Sequence, residues 1–187
     1  MKIAITGGIG SGKSFVCKHL AKRGIEVFDC DKSAKRLMRS SLSLQDSLKN
    51  LVGEDVYCDG RLQKAVLAQF ILSSNENKQA VNDIVHPAVA ADFIRSGLSW
   101  LESAILFESG FYKRVDFDHI VCVTAPESIR IERIMQRDNI SEAKARQWIA
   151  RQMPQEEVLR RSDFEIVNDG SRDIDAQIQM VLKTIEK

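Results

Sequence analysis

The sequence predicts an α/β protein in which a parallel five-stranded sheet is flanked by helices and carries a helical insertion and a lid. Three observations lead to this prediction. Short apolar runs alternate with helical patterns, the first run is followed at once by a glycine-rich turn and a helix, and a long helical stretch separates the second run from the third. Strands that alternate with helices form parallel sheets covered on both faces. The chain therefore fits one domain, residues 1–187.

Five apolar runs are the predicted strands, and they occupy residues 2–6, 25–28, 103–107, 119–124 and 164–167. The second run ends at Asp29 and the third stops at Glu108. Residues 33–95 are predicted to be helical, with breaks at Gly53, at Asp59-Gly60 and at His86-Pro87. Later helices are predicted at residues 125–137, after the N-cap Ser141, from Pro154, and over residues 174–185. Ligands bind at the carboxyl ends of parallel strands, so the functional site is predicted along that edge of the sheet.

Two segments exceed what simple connections between strands need. Residues 33–97 are longer than a crossover requires, so we expect a helical subdomain that binds a second substrate. Residues 138–161 are rich in charge and would form a lid that closes over the site. Closure of such a segment excludes water from a site.

Composition narrows the class of protein. The 187 residues carry 27 Lys and Arg against 26 Asp and Glu, a net charge of +1, which argues against nucleic acid as a partner. No apolar run reaches membrane-spanning length, and the first strand begins too early to leave room for a signal peptide. The four cysteines are scattered, so we expect reduced thiols, no zinc and a cytoplasmic location. We expect a monomer, with weak self-association left open.

The glycine-rich turn carries the strongest functional signal. Residues 7–14, Gly-Gly-Ile-Gly-Ser-Gly-Lys-Ser, fit the pattern G-x-x-x-x-G-K-[ST] between a strand and a helix, which indicates a P-loop NTPase-type fold and a nucleoside triphosphate site. Backbone N–H groups would cradle the phosphates, Lys13 would reach the β- and γ-phosphates, and Ser14 would ligate Mg²⁺. The predicted nucleotide-binding residues of this segment are Gly8, Gly10, Ser11, Gly12, Lys13, Ser14 and Phe15.

A pair of carboxylates follows the second predicted strand. Asp29 and Asp31 can address one site, one by orienting Mg²⁺ and the other by accepting a proton from an attacking hydroxyl. Alternatively, Asp31 only caps the following helix. The GTPase class is disfavoured because residues 77–80, Asn-Lys-Gln-Ala, lack the Asp of the guanine motif. A kinase for a nucleoside or nucleotide acceptor and a non-catalytic nucleotide switch stay open.

Further motifs make the chain resemble the dephospho-coenzyme A kinase family along nearly its whole length. They lie, in order, at residues 59–62, 84–87, 106–109, 133–138, 150–154, and 163–170. The resemblance implies transfer of the γ-phosphoryl group of ATP to the ribose 3′-hydroxyl of dephospho-coenzyme A with Mg²⁺. It implies Asp31 as general base, Asp29 as a metal and acceptor residue, and Asn168 and Gly170 at the adenine.

Five further residues are predicted at the site, and most of them could have a structural role instead. Arg137, with Arg133 as second choice, is predicted to contact the transferred phosphoryl group, although both could lie on a solvated helix face. Glu108 is predicted at the rim of the site, although it could simply end a strand. His86 is predicted near the acceptor pocket, although it could be a packing residue. Lys64 is predicted to contact the acceptor.

Four positions depart from the family pattern. Cys30 stands where Ala is usual, Phe15 where Thr is common, Ala104 where Pro is usual and Lys64 where Arg is frequent. Phe15 lacks a hydroxyl that could touch the α-phosphate, and Lys64 keeps the charge of Arg but loses its bidentate fork. The residues predicted to perform the chemistry are intact.

Overall fold

A computed structural model of the chain describes residues 1–185. Its main sheet has five parallel strands in the order β2-β5-β1-β6-β7. These strands are β1 (Ile3–Thr6), β2 (Val27–Asp29), β5 (Trp100–Glu102), β6 (His119–Thr124) and β7 (Phe164–Val167). A separate antiparallel pair is formed by β3 (Tyr57–Cys58) and β4 (Arg61–Leu62). The predicted parallel α/β architecture is confirmed.

Helices connect the strands and cover the sheet. They are α1 (Lys13–Ala21), α2 (Cys30–Ser40), α3 (Leu42–Val52), α4 (Lys64–Ser73), α5 (Asn75–Ser96), α6 (Glu127–Asp138), α7 (Glu142–Ala150), α8 (Gln155–Arg160) and α9 (Ile174–Ile185). Ser141 caps α7 as predicted, because its hydroxyl accepts a hydrogen bond from the Lys144 N–H.

The chain divides into two compact units. The first comprises Met1–Phe28 and Leu98–Lys187, and the second comprises Asp29–Gly97. In the first unit, apolar residues of the sheet pack against α1 and α9 in one core cluster. The members with the least exposure include Ile3, Ile5, Val16, Val121 and Ile178. This core fixes the carboxyl ends of β1, β5, β6 and β7, where four loops leave the sheet.

The predicted strand at residues 103–107 is wrong. The strand is β5, Trp100–Glu102, and it pairs with β1 in the register Ile3↔Trp100. The following apolar segment forms turns instead, with Leu106 and Phe107 buried. Burial alone made this run resemble a strand, since a short apolar run does not distinguish a strand from a buried turn. Glu108 is therefore a turn residue, not a strand-end residue.

The second unit differs from the prediction at two places. Residues 57–62 form the β3-β4 hairpin around Asp59-Gly60, whose φ angles of 48° and 72° suit a two-residue hairpin loop. The predicted break at Asp59-Gly60 thus agrees with the structure, whereas the predicted break at His86-Pro87 is wrong, because Pro87 lies inside the 22-residue α5. The helix continues through the proline because it packs against α2, α3 and α4 along a buried apolar face.

Candidate functional site

The glycine loop between β1 and α1 has the conformation that its sequence predicts. Gly10 and Gly12 adopt φ angles of 80° and 90°, which disfavour side chains. A Cβ atom at Gly10 would lie 2.6 Å from the carbonyl oxygen of Arg130, so the loop also approaches α6 too closely for any other residue. The loop ends at the N-terminus of α1, where unpaired N–H groups favour a bound anion.

Lys13 closes the base of this loop. Its ammonium group donates a hydrogen bond to the Gly7 carbonyl (2.7 Å), and it lies 3.9 Å from a carboxylate oxygen of Glu102. The Lys13 side chain is 9% exposed and that of Glu102 is 16% exposed. Glu102, the last residue of β5, was missed from the sequence because the strand was assigned to later residues. An acidic residue at a strand end near the phosphate loop was the available signal.

Two arginines of α6 hold the outer side of the loop. Arg130 is buried and donates from Nε to the Ile9 carbonyl (2.9 Å). Arg133 donates from one guanidinium nitrogen to the carbonyls of Gly10 and Ser11, each at 3.3 Å. Burial lowers the pKa of Arg130 from its usual value. Arg133 therefore contacts the phosphate loop rather than lying on a solvated face.

Asn168, the residue after β7, joins the loop to the far side of the sheet. Its amide nitrogen donates to the Ser11 carbonyl (2.9 Å), and its amide oxygen accepts a hydrogen bond from Arg133 (3.4 Å). The residue is 6% exposed. Its side chain thus supports the phosphate loop, a role that the sequence did not suggest.

Replacement of Asn168 by Ala is expected to destabilise the protein by about 1 kcal/mol, since the buried Ser11 carbonyl loses its shorter hydrogen bond and keeps only the 3.3 Å contact with Arg133. Nucleotide affinity should fall as well, because the loop loses a support. Chemical denaturation and nucleotide titration measure the two effects. Asn50, exposed on α3, provides a matched control, Asn50→Ala. Equal stability of the two variants would contradict the supporting role.

A pocket of about 470 Å³ opens beside the first turn of α1. It brings together four predicted nucleotide-binding residues, Gly12, Phe15, Asn168 and Gly170, with Arg133, which was predicted as the second choice for the transferred phosphoryl group. The pocket is also lined by His19, Arg172 and Ile174, which the sequence did not suggest.

An aromatic pair forms one wall of the pocket. The rings of Phe15 and His19 lie 4.6 Å apart, and His19 contacts the Asp175 carboxylate through Nδ1 (2.9 Å). Phe15 is 48% exposed, so its ring presents an open apolar surface. Such a surface suits the face of a planar base.

The loop after β7 shapes the opposite wall. Asp169 accepts hydrogen bonds from the N–H groups of Ser171 and Arg172, and these bonds lower the pKa of Asp169 to about 2. The carboxylate therefore stays ionised and keeps the loop folded across the pH range in which most enzymes work. Arg172 lies 3.4 Å from the same carboxylate and lines the pocket.

Four of the residues predicted for catalysis or for the acceptor, described next, lie in the second unit. Asp29 ends β2 and caps α2, because its carboxylate accepts a hydrogen bond from the Lys32 N–H (2.9 Å). Asp31 is not the cap: it is exposed in the first turn of α2, and its carboxylate accepts no hydrogen bond within residues 1–185. Lys64 is the exposed first residue of α4. His86 lies within α5, half-buried, rather than at a helix start.

The remaining predicted residues of the first unit have structural partners. Arg137 is 61% exposed and forms a two-pronged pair with Asp138. Glu108 accepts a hydrogen bond from the Met153 N–H (3.1 Å), which ties it to the connection between α7 and α8. Both contacts place these residues beside the predicted lid, residues 138–161.

Mg²⁺ is the metal that the glycine loop implies. No group of three or more His, Cys, Asp or Glu side chains able to hold a metal occurs in residues 1–185. The Ser14 hydroxyl is exposed at the start of α1 and follows Lys13 directly. Because Mg²⁺ commonly takes few protein ligands beside phosphate oxygens and water, this single hydroxyl fits such an ion.

Two further observations concern the whole described chain. None of the helices in residues 1–185 is both long and apolar enough to cross a membrane. All four cysteines, Cys17, Cys30, Cys58 and Cys122, are free thiols. Burial, reinforced by the nearby Glu165 carboxylate, raises the pKa of Cys122 to about 12, so this thiol is unreactive.

Comparison with known proteins identifies the family of this chain. The sequence profile of the Dephospho-CoA kinase family matches residues 1–173. The Dephospho-CoA kinase of Bacteroides fragilis is 40% identical over 185 residues, which cover 95% of this chain and 89% of that protein. A crystal structure of a Thermus thermophilus protein superposes with a TM-score of 0.86 at 31% identity, over 100% of this chain and 98% of that one.

A second solved structure supports the fold. Dephospho-CoA kinase from Campylobacter jejuni superposes with a TM-score of 0.66 at 24% identity, over 99% of this chain and 98% of that one. The glycine loop, the parallel sheet and the family profile agree with each other. The chain belongs to the Dephospho-CoA kinase family.

Proposed function

We propose that this protein transfers the γ-phosphoryl group of ATP to the ribose 3′-hydroxyl of dephospho-coenzyme A, the final step of coenzyme A synthesis. One observation carries the nucleotide half of the proposal. The phosphate loop and the pocket of about 470 Å³ share Gly12, so that a site for phosphates opens directly into a cavity with an aromatic wall. The identity of the acceptor is proposed from membership of the family.

The pocket is proposed to hold the adenine of ATP. Phe15 and Gly170 flank it, and the triphosphate extends from there along the N–H groups of the loop. Lys13 exchanges its contact with the Gly7 carbonyl for the β- and γ-phosphates. Ser14 and the triphosphate hold Mg²⁺, which neutralises charge on the phosphoryl oxygens when it is bound. Asp29 is proposed as a residue that orients the metal and the acceptor.

Asp31 is proposed as the general base. Its carboxylate is exposed and accepts no hydrogen bond within residues 1–185, so it is available to a hydroxyl group. The acceptor oxygen forms a bond to the γ-phosphorus as the bond from phosphorus to the β-phosphate oxygen breaks. The hydroxyl proton passes to Asp31, and ADP leaves.

The helical unit Asp29–Gly97 is proposed to bind the acceptor, with Lys64 and His86 as contacts. Arg137 is proposed to leave Asp138 and to approach the transferred phosphoryl group when residues 138–161 close as a lid. We also propose a monomer in the cytoplasm. The four free thiols support a reducing compartment.

The test compares acceptors in an assay that couples ADP release to a measured signal. ADP release is expected with dephospho-coenzyme A and not with AMP, CMP or nucleosides, and the product should carry the new phosphate on the 3′-oxygen. Phosphorylation of nucleosides in place of dephospho-coenzyme A would identify a kinase for another acceptor. Tight ATP binding with no acceptor-dependent ADP release would identify a nucleotide switch.

A further inference from the structure

The short connection between α7 and α8, together with the first residue of α8, is attached to the rim of the sheet at three places. The Ile9 N–H donates to Gln152 Oε1 (2.6 Å), and the Met153 N–H donates to Glu108 (3.1 Å). The Ala125 N–H donates to Gln155 Oε1 (3.1 Å). These three bonds fall within four consecutive residues and end on three different loops. Residues 152–155 therefore form a fixed point, here called the lid anchor.

Ile9 is the residue of the phosphate loop that the lid anchor contacts. Its N–H donates to Gln152, its carbonyl accepts from Arg130, and its side chain packs against the cluster of Ile131, Ile134 and Ala145. Partly buried residues of α7, among them Trp148, belong to the same apolar cluster. Both polar backbone groups of Ile9 and its side chain are thus held by residues outside the loop.

Arg151 immediately precedes the lid anchor and differs from the neighbouring arginines. Within residues 1–185, four other arginines of this region pair with carboxylates: Arg137, Arg146, Arg160 and Arg161. Arg133 binds the carbonyls of the phosphate loop. Arg151 is exposed, and the described part of the chain gives its guanidinium no carboxylate or carbonyl partner.

Gln152 determines where this unpaired cation lies. Adjacent Cα atoms are about 3.8 Å apart, so the Gln152–Ile9 hydrogen bond fixes the Arg151 backbone one residue from a side chain that contacts the loop. A guanidinium group that has no partner in residues 1–185, one residue from this contact with the phosphate loop, suits the oxygens of a phosphoryl group. It also has no ion pair within the described residues to break before it binds a phosphoryl group.

We propose that Arg151 is a further phosphate-binding residue for the γ-phosphoryl group and that Gln152 is the positioning residue that holds it there through Ile9. This proposal rests on the ATP site proposed above. It predicts that the two residues act as one unit: loss of the anchor leaves Arg151 present but misplaced.

The first measurement is nucleotide binding, which needs no acceptor. Arg151→Met is expected to weaken ATP binding about tenfold or more and to leave ADP binding within about twofold, because only ATP carries the γ-phosphate. Gln152→Ala should show the same selective loss. Arg160→Met and Gln147→Ala are matched controls, since Arg160 pairs with Glu157 and Gln147 is an exposed residue of α7. Both controls should bind ATP and ADP as the unchanged protein does.

A double-mutant cycle then tests the positioning role. If Gln152 acts through Arg151, the double variant should lose no more ATP affinity than the more affected single variant, so that the effects are not additive. Arg151→Lys should recover part of the affinity in the presence of Gln152 and none with Gln152→Ala.

Three results would overturn the proposal. They are unchanged ATP binding by Arg151→Met, an equal loss of ATP and ADP affinity in Gln152→Ala, and additive effects in the cycle. The second result would mean that Gln152 only stabilises the loop. Failure of the proposed function would instead appear in the unchanged protein, as absence of acceptor-dependent ADP release.

Discussion

Replacement of Asp31 by Asn is expected to lower kcat for dephospho-coenzyme A by about a hundredfold or more, while ATP affinity stays unchanged. Asn has nearly the same shape as Asp but does not take the proton of the acceptor hydroxyl, and a general base typically contributes a factor of about 100–10,000. Steady-state kinetics gives kcat, and titration with ATP in the absence of acceptor gives the affinity.

The position of Asp31 makes this test selective. The residue is exposed in the first turn of α2 and does not cap the helix, so its loss should cost the protein only about 0.3–1 kcal/mol through the helix dipole. Asp46→Asn, at an exposed position of α3 in the same unit, is the matched control and should keep full activity. A normal kcat for Asp31→Asn would show that another group accepts the proton.

Replacement of Lys13 by Met is expected to lower kcat/KM by about 100–1000-fold, the range found when one preorganised donor to a developing charge is removed. Met has a similar length and fills the buried position, but it carries no charge to place on the β- and γ-phosphates. The protein should stay folded with some loss of stability, because the substitution removes the hydrogen bond to the Gly7 carbonyl and the ammonium group that lies 3.9 Å from Glu102. Kinetics and thermal unfolding of the same sample measure both expectations.

Lys18→Met provides the control for Lys13. Lys18 lies on the exposed side of α1, one and a half turns from the loop, and should be dispensable. Lys13→Arg is also expected to be inactive, since the buried site that accepts a slim ammonium group does not accommodate a planar fork. Full turnover by Lys13→Met would contradict the assignment of the glycine loop as the site of the triphosphate.

Continuous local patterns in the sequence predicted much of this fold. The apolar runs at β6 and β7 stand between clear turns, and the predicted ranges 119–124 and 164–167 agree with the structure. The glycine loop was predictable because its function depends on a contiguous pattern. The strand β5 was not, because the more apolar segment that follows it is buried in turns. The proline within α5 was misread because packing of that helix outweighs the local preference.

The contacts that support the site could not be predicted from local sequence patterns. Asn168 and Gln152 contact the phosphate loop across 157 and 143 residues of sequence, respectively. Each is a common polar residue in an unremarkable setting, and only folding shows what it touches. The sequence could therefore name the loop but not the groups that hold it. Glu102 was missed for a related reason, since its place at a strand end depended on a strand that had been assigned elsewhere.

The two arginines behind the loop have a consequence for charge selection. Arg130 and Arg133 bind the oxygens of three consecutive peptide groups, those of Ile9, Gly10 and Ser11, and so resist any peptide flip that would turn those oxygens toward the hollow. With the oxygens directed outward, the hollow repels cations and accepts anions before any nucleotide arrives. The selection of anions over cations thus depends on two side chains, Arg130 and Arg133, that bind the loop from the side facing away from the ligand.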